Sequence, residues 1–231
     1  MEHQFRRTLA TTLGALALAG CNGAAPGPDQ QAVRHYGELA FTPCTLTAPY
    51  LTTNVEAQCT TYEVAEDPAR PEGRKVALNI AWLPASNEGA ATDDPVFFLA
   101  GGPGQSAVQV WPAIDGAFRE VRKSRHIVLV DQRGTGKSNP LACKDTEGRN
   151  AYSDPDDLSE AAAAAFARDC AAALKADPRF YTTTDAVRDL DSVRKALGAA
   201  KINLIGGSYG TRVAQQYAMR HPDSTRAVVI D

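Results

Sequence analysis

Charge of one sign is scarce in this 231-residue chain: 24 Lys and Arg stand against 27 Asp and Glu, a net charge of −3. Without a basic surplus it has no electrostatic footprint for a phosphate backbone, so no nucleic-acid partner is expected. Histidine is scarce too, four in all, and none falls in a Cys/His cluster. No metal site and no cofactor are therefore expected. No run of five like charges occurs and no internal repeat is visible. The remaining balance, 44% hydrophobic and 22% charged, suits an ordinary globular protein and excludes disordered or collagen-like chains.

The N-terminus carries what a targeting segment needs. Arg6 and Arg7 precede an apolar stretch, Thr8 to Gly20, shorter than the ~20 residues of a membrane-spanning helix. A basic start, a short apolar middle and small residues at the end describe a secretory signal. Its end, Leu18-Ala19-Gly20-Cys21, resembles the bacterial lipoprotein signal. That resemblance implies cleavage after residue 20, a lipid on Cys21 and an envelope protein tethered to the membrane through it. The alternative is an ordinary signal with an incidental cysteine. Residues 21–40, with Asn22-Gly23-Ala24-Ala25-Pro26-Gly27-Pro28 near their start, form the expected flexible tether, and residues 41–231 the expected domain.

Beyond Cys21 stand Cys44, Cys59, Cys143 and Cys170. An even number in an exported protein suggests disulfides. Three pairings are open, and the sequence-local one, Cys44–Cys59 with Cys143–Cys170, is the expectation.

Apolar runs then alternate with helical patterns. Val76, Leu78, Ile80 and Trp82 mark a half-buried strand. Val96 to Leu99 and Ile127 to Val130 are continuous apolar runs, the mark of covered strands, and Ile202-Asn203-Leu204-Ile205 and Ala227 to Ile230 read as two more buried strands. Ile114, Phe118 and Val121 predict one helix face. Ala161 to Ala173 predict an alanine-rich helix. Val187, Leu190, Val193 and Leu197 predict another, capped by Thr184 or Asp185 and stopped at Gly198. A last helix is expected from Tyr209 to Arg220, ended by Pro222. This alternation implies an α/β fold with a mostly parallel sheet and helices on both faces.

Ligands of such sheets bind beyond the carboxyl ends of the strands, and three loops lie there. Gly206-Gly207-Ser208-Tyr209-Gly210 is G-x-S-x-G between a strand and a helix, the setting of a nucleophile elbow. Ser208 is the candidate nucleophile. An acyl transfer also needs N–H donors aimed at the oxygen that turns negative. The amide of Tyr209 is one candidate, and that of Gly102, in Gly101-Gly102-Pro103-Gly104, is the other, with Gly101 beside it. Gly102 to Ala107 formally fits a dinucleotide fingerprint, but Pro103 removes an amide the pyrophosphate needs and Asp131 comes too late for the ribose. Gly134 to Ser138 imitates the end of a P-loop, but Asp131 stands where that motif has glycine and Pro140 interrupts the helix it requires. Asp131 to Ser138 therefore reads as a buttress, with Asp131 and Arg133 paired inside it.

Together these loops resemble the α/β-hydrolase fold, and more narrowly the prolyl-iminopeptidase and tripeptidyl-aminopeptidase group of serine peptidases, over about residues 40 to 231. Tyr181-Thr182-Thr183 through Gly198 and the cysteine placement are similar to the secreted tripeptidyl branch. Ala100 departs from the histidine that iminopeptidases carry before the double glycine. The resemblance implies a serine exopeptidase that releases residues or short peptides from peptide N-termini through an acyl-enzyme. An esterase or lipase-like hydrolase, or a catalytically silent binding lipoprotein, are the alternatives.

A serine needs an adjacent general base, and none of the four histidines qualifies. His3 leaves with the signal, His35 precedes the domain and His126 opens a strand at the end of the sheet away from the loops. His221 lies a whole helix beyond Ser208, about 20 Å at 1.5 Å per residue. Asp231 follows the last strand, where a few hydrolases of this fold carry their acid. The expectation is a first half of a longer hydrolase, with the C-terminal part (lid, last strands, acid and histidine) missing. It would be inactive alone, open at its last strand and completed by a downstream C-terminal fragment.

Overall fold

A computed structural model describes residues 32–49, 52–143 and 159–231. Cys21, the signal and most of the tether lie outside them. Residues Gln31–Asp231 form one compact unit.

Eight strands make one sheet in the order β1-β2-β3-β4-β6-β5-β7-β8. The first four are β1 (Arg34–Tyr36), β2 (Leu39–Thr47), β3 (Asn54–Ala65) and β4 (Lys75–Leu83). They form an antiparallel meander, and β4 runs antiparallel to β6 (Ile127–Val130). The parallel part holds β6, β5 (Val96–Leu99), β7 (Ile202–Gly206) and β8 (Thr225–Ile230). The sheet is thus mixed, parallel only where helical crossovers join the strands. Hairpin-length connections between β1 and β4 permit only antiparallel neighbours. Residues 34–40, assigned to the tether by composition, belong to β1 and β2.

Helices cover both faces. Strand residues alternate between two cores, as the period of two requires. Phe97, Leu99, Val128, Val130, Ile202 and Leu204 pack on one side with α4 (Thr183–Ala196) and α5 (Tyr209–Arg220). Val96, Phe98, Ile127 and Leu129 pack on the other with α1 (Ala107–Ile114). The face expected of Ile114, Phe118 and Val121 is real, since all three join that second core. It is built from α1, a 3-10 turn Asp115–Phe118 and the short α2 (Arg119–Arg122). The alanine-rich helix is α3 (Glu160–Ala173).

Two local expectations change. The cap of α4 is Thr182, whose hydroxyl receives the Asp185 N–H, while the Asp185 carboxylate returns the bond to Thr182 N–H. This reciprocal box places Asp185 inside the first turn and the cap three residues earlier. The other is β8, whose apolar run reads as a covered strand although the expected missing C-terminal part leaves it open: Val228, Val229 and Ile230 are 37%, 54% and 53% exposed. An apolar run signals a covered strand only when neighbours lie on its far side, and among the described residues β8 has one neighbour, β7.

The cysteines adopt the sequence-local pairing. Cys44–Cys59 ties β2 to β3 with Cα atoms 5.8 Å apart, and Cys143–Cys170 ties the segment after β6 to α3 at 5.5 Å. No described helix is long and apolar enough to cross a membrane.

Candidate active site

Ser208 occupies the turn from β7 into α5. Its φ of 51° and ψ of −120° make it one of two non-glycine residues with positive φ among those described, the other being Asn139. A β-carbon is crowded in that region, so the conformation costs of order 1–3 kcal/mol and persists only because the surroundings impose it. Those surroundings are visible at Gly210 and Gly101. A Cβ on Gly210 would stand 2.0 Å from the Leu99 carbonyl oxygen, so α5 starts in contact with the end of β5. A Cβ on Gly101 would stand 2.9 Å from the Ser208 Cβ, so the double-glycine loop lies directly against the serine. The chain can bring these three backbones together only without side chains there.

The backbone beneath Ser208 is anchored while the groups above it are free. Ser208 N–H donates to the Asp231 carbonyl oxygen at 2.9 Å, and Gly207 N–H to the Leu99 carbonyl oxygen at 3.1 Å. Among the described residues neither the Ser208 hydroxyl nor the amides of Tyr209 and Gly102 have a partner. Tyr209 begins α5, so its free N–H belongs to the positive end of a helix dipole. Gly102 follows with φ of 108°. A hydroxyl on a tight bend beside unengaged amides can attack a carbonyl whose oxygen then finds donors.

The serine opens on a cleft of about 440 Å³ on the α1 side of the sheet. Phe98, Val110, Ile114, Ala117, Phe118 and Ile205 give it apolar walls, and Gly101, Gln105, Ser208 and Asp231 lie at it too. Ser208 and the Gly101 loop, separated by some hundred residues, therefore share one space.

Among the described residues no histidine lines that cleft. His126 Nδ1 accepts the Ala85 N–H at 3.0 Å and its ring packs against Tyr36 and Trp82. Burial pushes its pKa below the ordinary value. His221 stacks near Tyr217 and stands 3.9 Å from the Asp191 carboxylate.

The loop after β6 corrects the pairing expected there. Asp131 and Arg133 do not pair. Asp131, 1% exposed, accepts from Ser106 Oγ at 2.6 Å, Val108 N at 3.1 Å, Asn79 Nδ2 at 2.9 Å and Lys137 N at 3.2 Å. It thus ties the first turn of α1, just after the double-glycine loop, to the sheet. Arg133 turns the other way. Its guanidinium grips both Asp189 oxygens at 2.7 and 2.6 Å and donates to the carbonyls of Ala65, Glu66 and Phe180. Burial opposes the charge on Arg133, but the bonds to Asp189 outweigh it and hold its pKa above the ordinary range. Asp189 lies 56 positions from Arg133, in the middle of α4. Its only sequence sign is a charge at a position between Val187 and Leu190 on a buried face.

Among the described residues no group of three or more His, Cys, Asp or Glu side chains could hold a metal ion.

A family model of the alpha/beta hydrolase fold matches residues 94–231. Serine protease Hip1 of Mycobacterium tuberculosis is 29% identical over 241 residues, covering 94% of this chain and 44% of that protein. Tripeptidyl aminopeptidase of Streptomyces lividans is 29% identical over 186 residues, covering 75% and 35%. Proline iminopeptidase of Neisseria gonorrhoeae is 31% identical over 136 residues, covering 59% and 31%. The chain spans less than half the length of these curated relatives.

Proposed function

The chain belongs to the alpha/beta hydrolase fold family, and from that premise we propose that it is the nucleophile-bearing part of a serine exopeptidase acting on peptide N-termini. The reading rests on one observation above all: Ser208 held at positive φ against Gly101, with its hydroxyl and the Tyr209 amide unengaged. The relatives, by name a serine protease, an aminopeptidase and an iminopeptidase, support a peptide substrate over an ester.

In the proposed reaction the Ser208 Oγ attacks the scissile carbonyl carbon and its proton passes to a base. The carbonyl oxygen, now negative, sits between the amides of Tyr209 and Gly102. Collapse expels the leaving amine, which takes the proton, and leaves an acyl-serine. Water then adds to that ester and releases the carboxylic acid and the free hydroxyl. Since no described histidine reaches Ser208, the base and its orienting acid come from a segment outside residues 32–231. A downstream C-terminal fragment is the proposed source. The chain by itself then turns over peptides at no useful rate. The same reading makes it an envelope protein carried to the membrane by a lipid on Cys21.

The test is labelling with a fluorophosphonate and hydrolysis of tripeptidyl and aminoacyl anilides beside p-nitrophenyl esters. Both are run on residues 1–231 and on the product of any coding sequence that continues past Asp231. Expected are labelling and anilide turnover in the longer product, both lost in Ser208→Ala. Robust turnover by residues 1–231 alone would overturn the need for an outside base. Ester turnover without anilide turnover would point to an esterase, and no labelling in either form to a binding protein. Lipid labelling lost in Cys21→Ser checks the anchor.

A further inference from the structure

We propose that the cleft beside Ser208 receives an uncharged branched or aromatic side chain next to the scissile carbonyl, and that the Gln105 carboxamide hydrogen-bonds the adjoining peptide amide. This rests on the hydrolase reading, and it names which substrates that site takes.

Three observations carry it. First, Ser208 and Gly101 both line the cleft. An acyl group attached to the Ser208 oxygen therefore has its first branch at the cleft mouth. At about 440 Å³ the space is in the range of pockets that hold small organic groups.

Second, the walls are apolar and come from three directions. Phe98 and Ile205 rise from β5 and β7, Val110 and Ile114 from α1, and Ala117 and Phe118 from the turn after it. Phe98 meets Trp111 and Phe118 edge to face, and Trp111 and Phe118 pack tilted against each other, which braces this wall. Among the described residues the cleft has no cationic side chain in its lining, and its one acidic residue, Asp231, meets the serine through its backbone carbonyl, which accepts the Ser208 N–H. A charged group pushed against that wall would lose water without gaining a partner, whereas an apolar group gains by leaving water.

Third, Gln105 is a polar side chain with nothing to do in the fold. Its backbone N–H closes the loop onto the Gly101 carbonyl oxygen at 3.3 Å. Its carboxamide has no hydrogen-bond partner among the described residues and is exposed at the cleft. Its Oε1 stands 3.2 Å from where a Cβ on Gly101 would be, while the Ser208 Cβ stands 2.9 Å from that same point. The carboxamide therefore reaches the loop that faces the serine. It carries one acceptor and two donors, which suits it to a peptide group, and being neutral it costs less to desolvate than a charged group.

Binding measured without turnover tests this on residues 1–231 as they are. The uniformly 15N-labelled chain is titrated with N-acetyl-leucinamide, N-acetyl-lysinamide and 4-methylpentanamide, the last having the leucine side chain and carboxamide but no acetamido group. N-acetyl-leucinamide is expected to shift the amides of Gly101, Gln105, Ile114 and Ser208 and to bind at least about fivefold more tightly than the lysine compound. Gln105→Ala should weaken N-acetyl-leucinamide by about fivefold, the scale of one hydrogen bond, and leave 4-methylpentanamide within about twofold. Ala117→Phe, at an exposed wall position where folding is not at stake, should fill the cleft and weaken both leucine-like compounds.

Equal binding of the leucine and lysine compounds, shifts mapping elsewhere, or a Gln105→Ala loss shared by both leucine-like compounds would overturn the inference. The outcomes separate it from the functional reading. Fluorophosphonate labelling of Ser208 with no discrimination in the cleft sinks the inference alone. Discrimination with no labelling in any form sinks the hydrolase reading.

Discussion

Two loops follow the parallel strands that flank β5, namely β6 and β7, and end in opposite conditions. After β6, Asp131 and Arg133 are buried and fully engaged: four bonds converge on the carboxylate, and the guanidinium reaches one carboxylate and three carbonyls. After β7, Ser208 is exposed and strained, and its hydroxyl and the next amide are idle. Buried polar groups are expensive unless paired, so the first loop can only be scaffold, its bonds spent within the fold. The second keeps its donors and nucleophile for something that is not protein. The contrast separates what holds the site from what would act in it, and Asp131 joins the two by anchoring the start of α1 beside the double-glycine loop.

That contrast can be broken most forcefully at Arg133. Its side chain is 1% exposed and that of Asp189 is 5%, so Arg133→Ala strands a buried carboxylate. Chemical denaturation should show a loss of about 3–5 kcal/mol. Arg133→Lys should recover only part of it, since an ammonium cannot replace a two-pronged contact. Loss of less than about 1 kcal/mol would mean the network is not scaffold.

Gly210→Ala comes next. The new methyl meets the backbone of Leu99 rather than a movable side chain, and overpacking of this kind costs about 1–3 kcal/mol. Unchanged stability would show that the close approach of α5 to β5 is not required.

On the other loop the sign reverses. Ser208→Gly removes the Cβ that dislikes φ of 51° and breaks no side-chain bond. It should stabilise the chain by about 1 kcal/mol while abolishing any labelling. A destabilised Ser208→Gly would argue that the hydroxyl serves the fold.

The smallest effect sharpens the comparison from outside both loops. His126 is folded with a pKa below its ordinary 6.5, because burial disfavours its charge and Nδ1 must stay unprotonated to accept the Ala85 N–H. The unfolded chain thus binds the proton more readily. This contribution is complete above pH 6.5 and is lost as pH falls below it. Asp94 and Asp191 act lower down. Burial raises their pKa values, but hydrogen bonds from Asn203, Thr92 and Arg125 to Asp94 and from Arg194 and Lys195 to Asp191, with the charge of Arg125 and Arg194, outweigh it and bring both to about 2. Their contribution is complete above the ordinary carboxylate value of 3.8 and is lost from there down toward pH 2. Thermal midpoints read from pH 8 to 3 should decline in those two windows, and His126→Asn should flatten the first.

Much of the site-bearing half was legible because its signals are local. β5 and β6 are unbroken apolar runs and β7 is broken only by Asn203, α4 and α5 carry their apolar residues at helical spacing, and the glycines flanking Ser208 advertise a turn that tolerates no side chains. The meander was harder. β2 has Leu39 and Phe41 buried in step, but Pro43 interrupts it and the next buried position, Leu46, falls on the other parity. β3 is half-buried over much of its length, so its pattern is faint. Nor could the partners of Asp131 and Arg133 be read. Nearness in sequence suggested they pair with each other, whereas the chain turns after β6, sending Asp131 to β4 and the start of α1 and Arg133 to α4 and the end of β3.

The residues alone determined where the chain turns, which stretches are strand or helix, and that a serine sits among glycines between the two, because each depends on a few adjacent side chains and on backbone sterics. Only the tertiary structure decided what those pieces face. It set the double-glycine loop against Ser208, gave Arg133 to a carboxylate on α4 and opened an apolar cleft beside the serine. Those outcomes depend on the order and direction of strands in the sheet, to which residues far apart in the chain contribute jointly and none contributes alone.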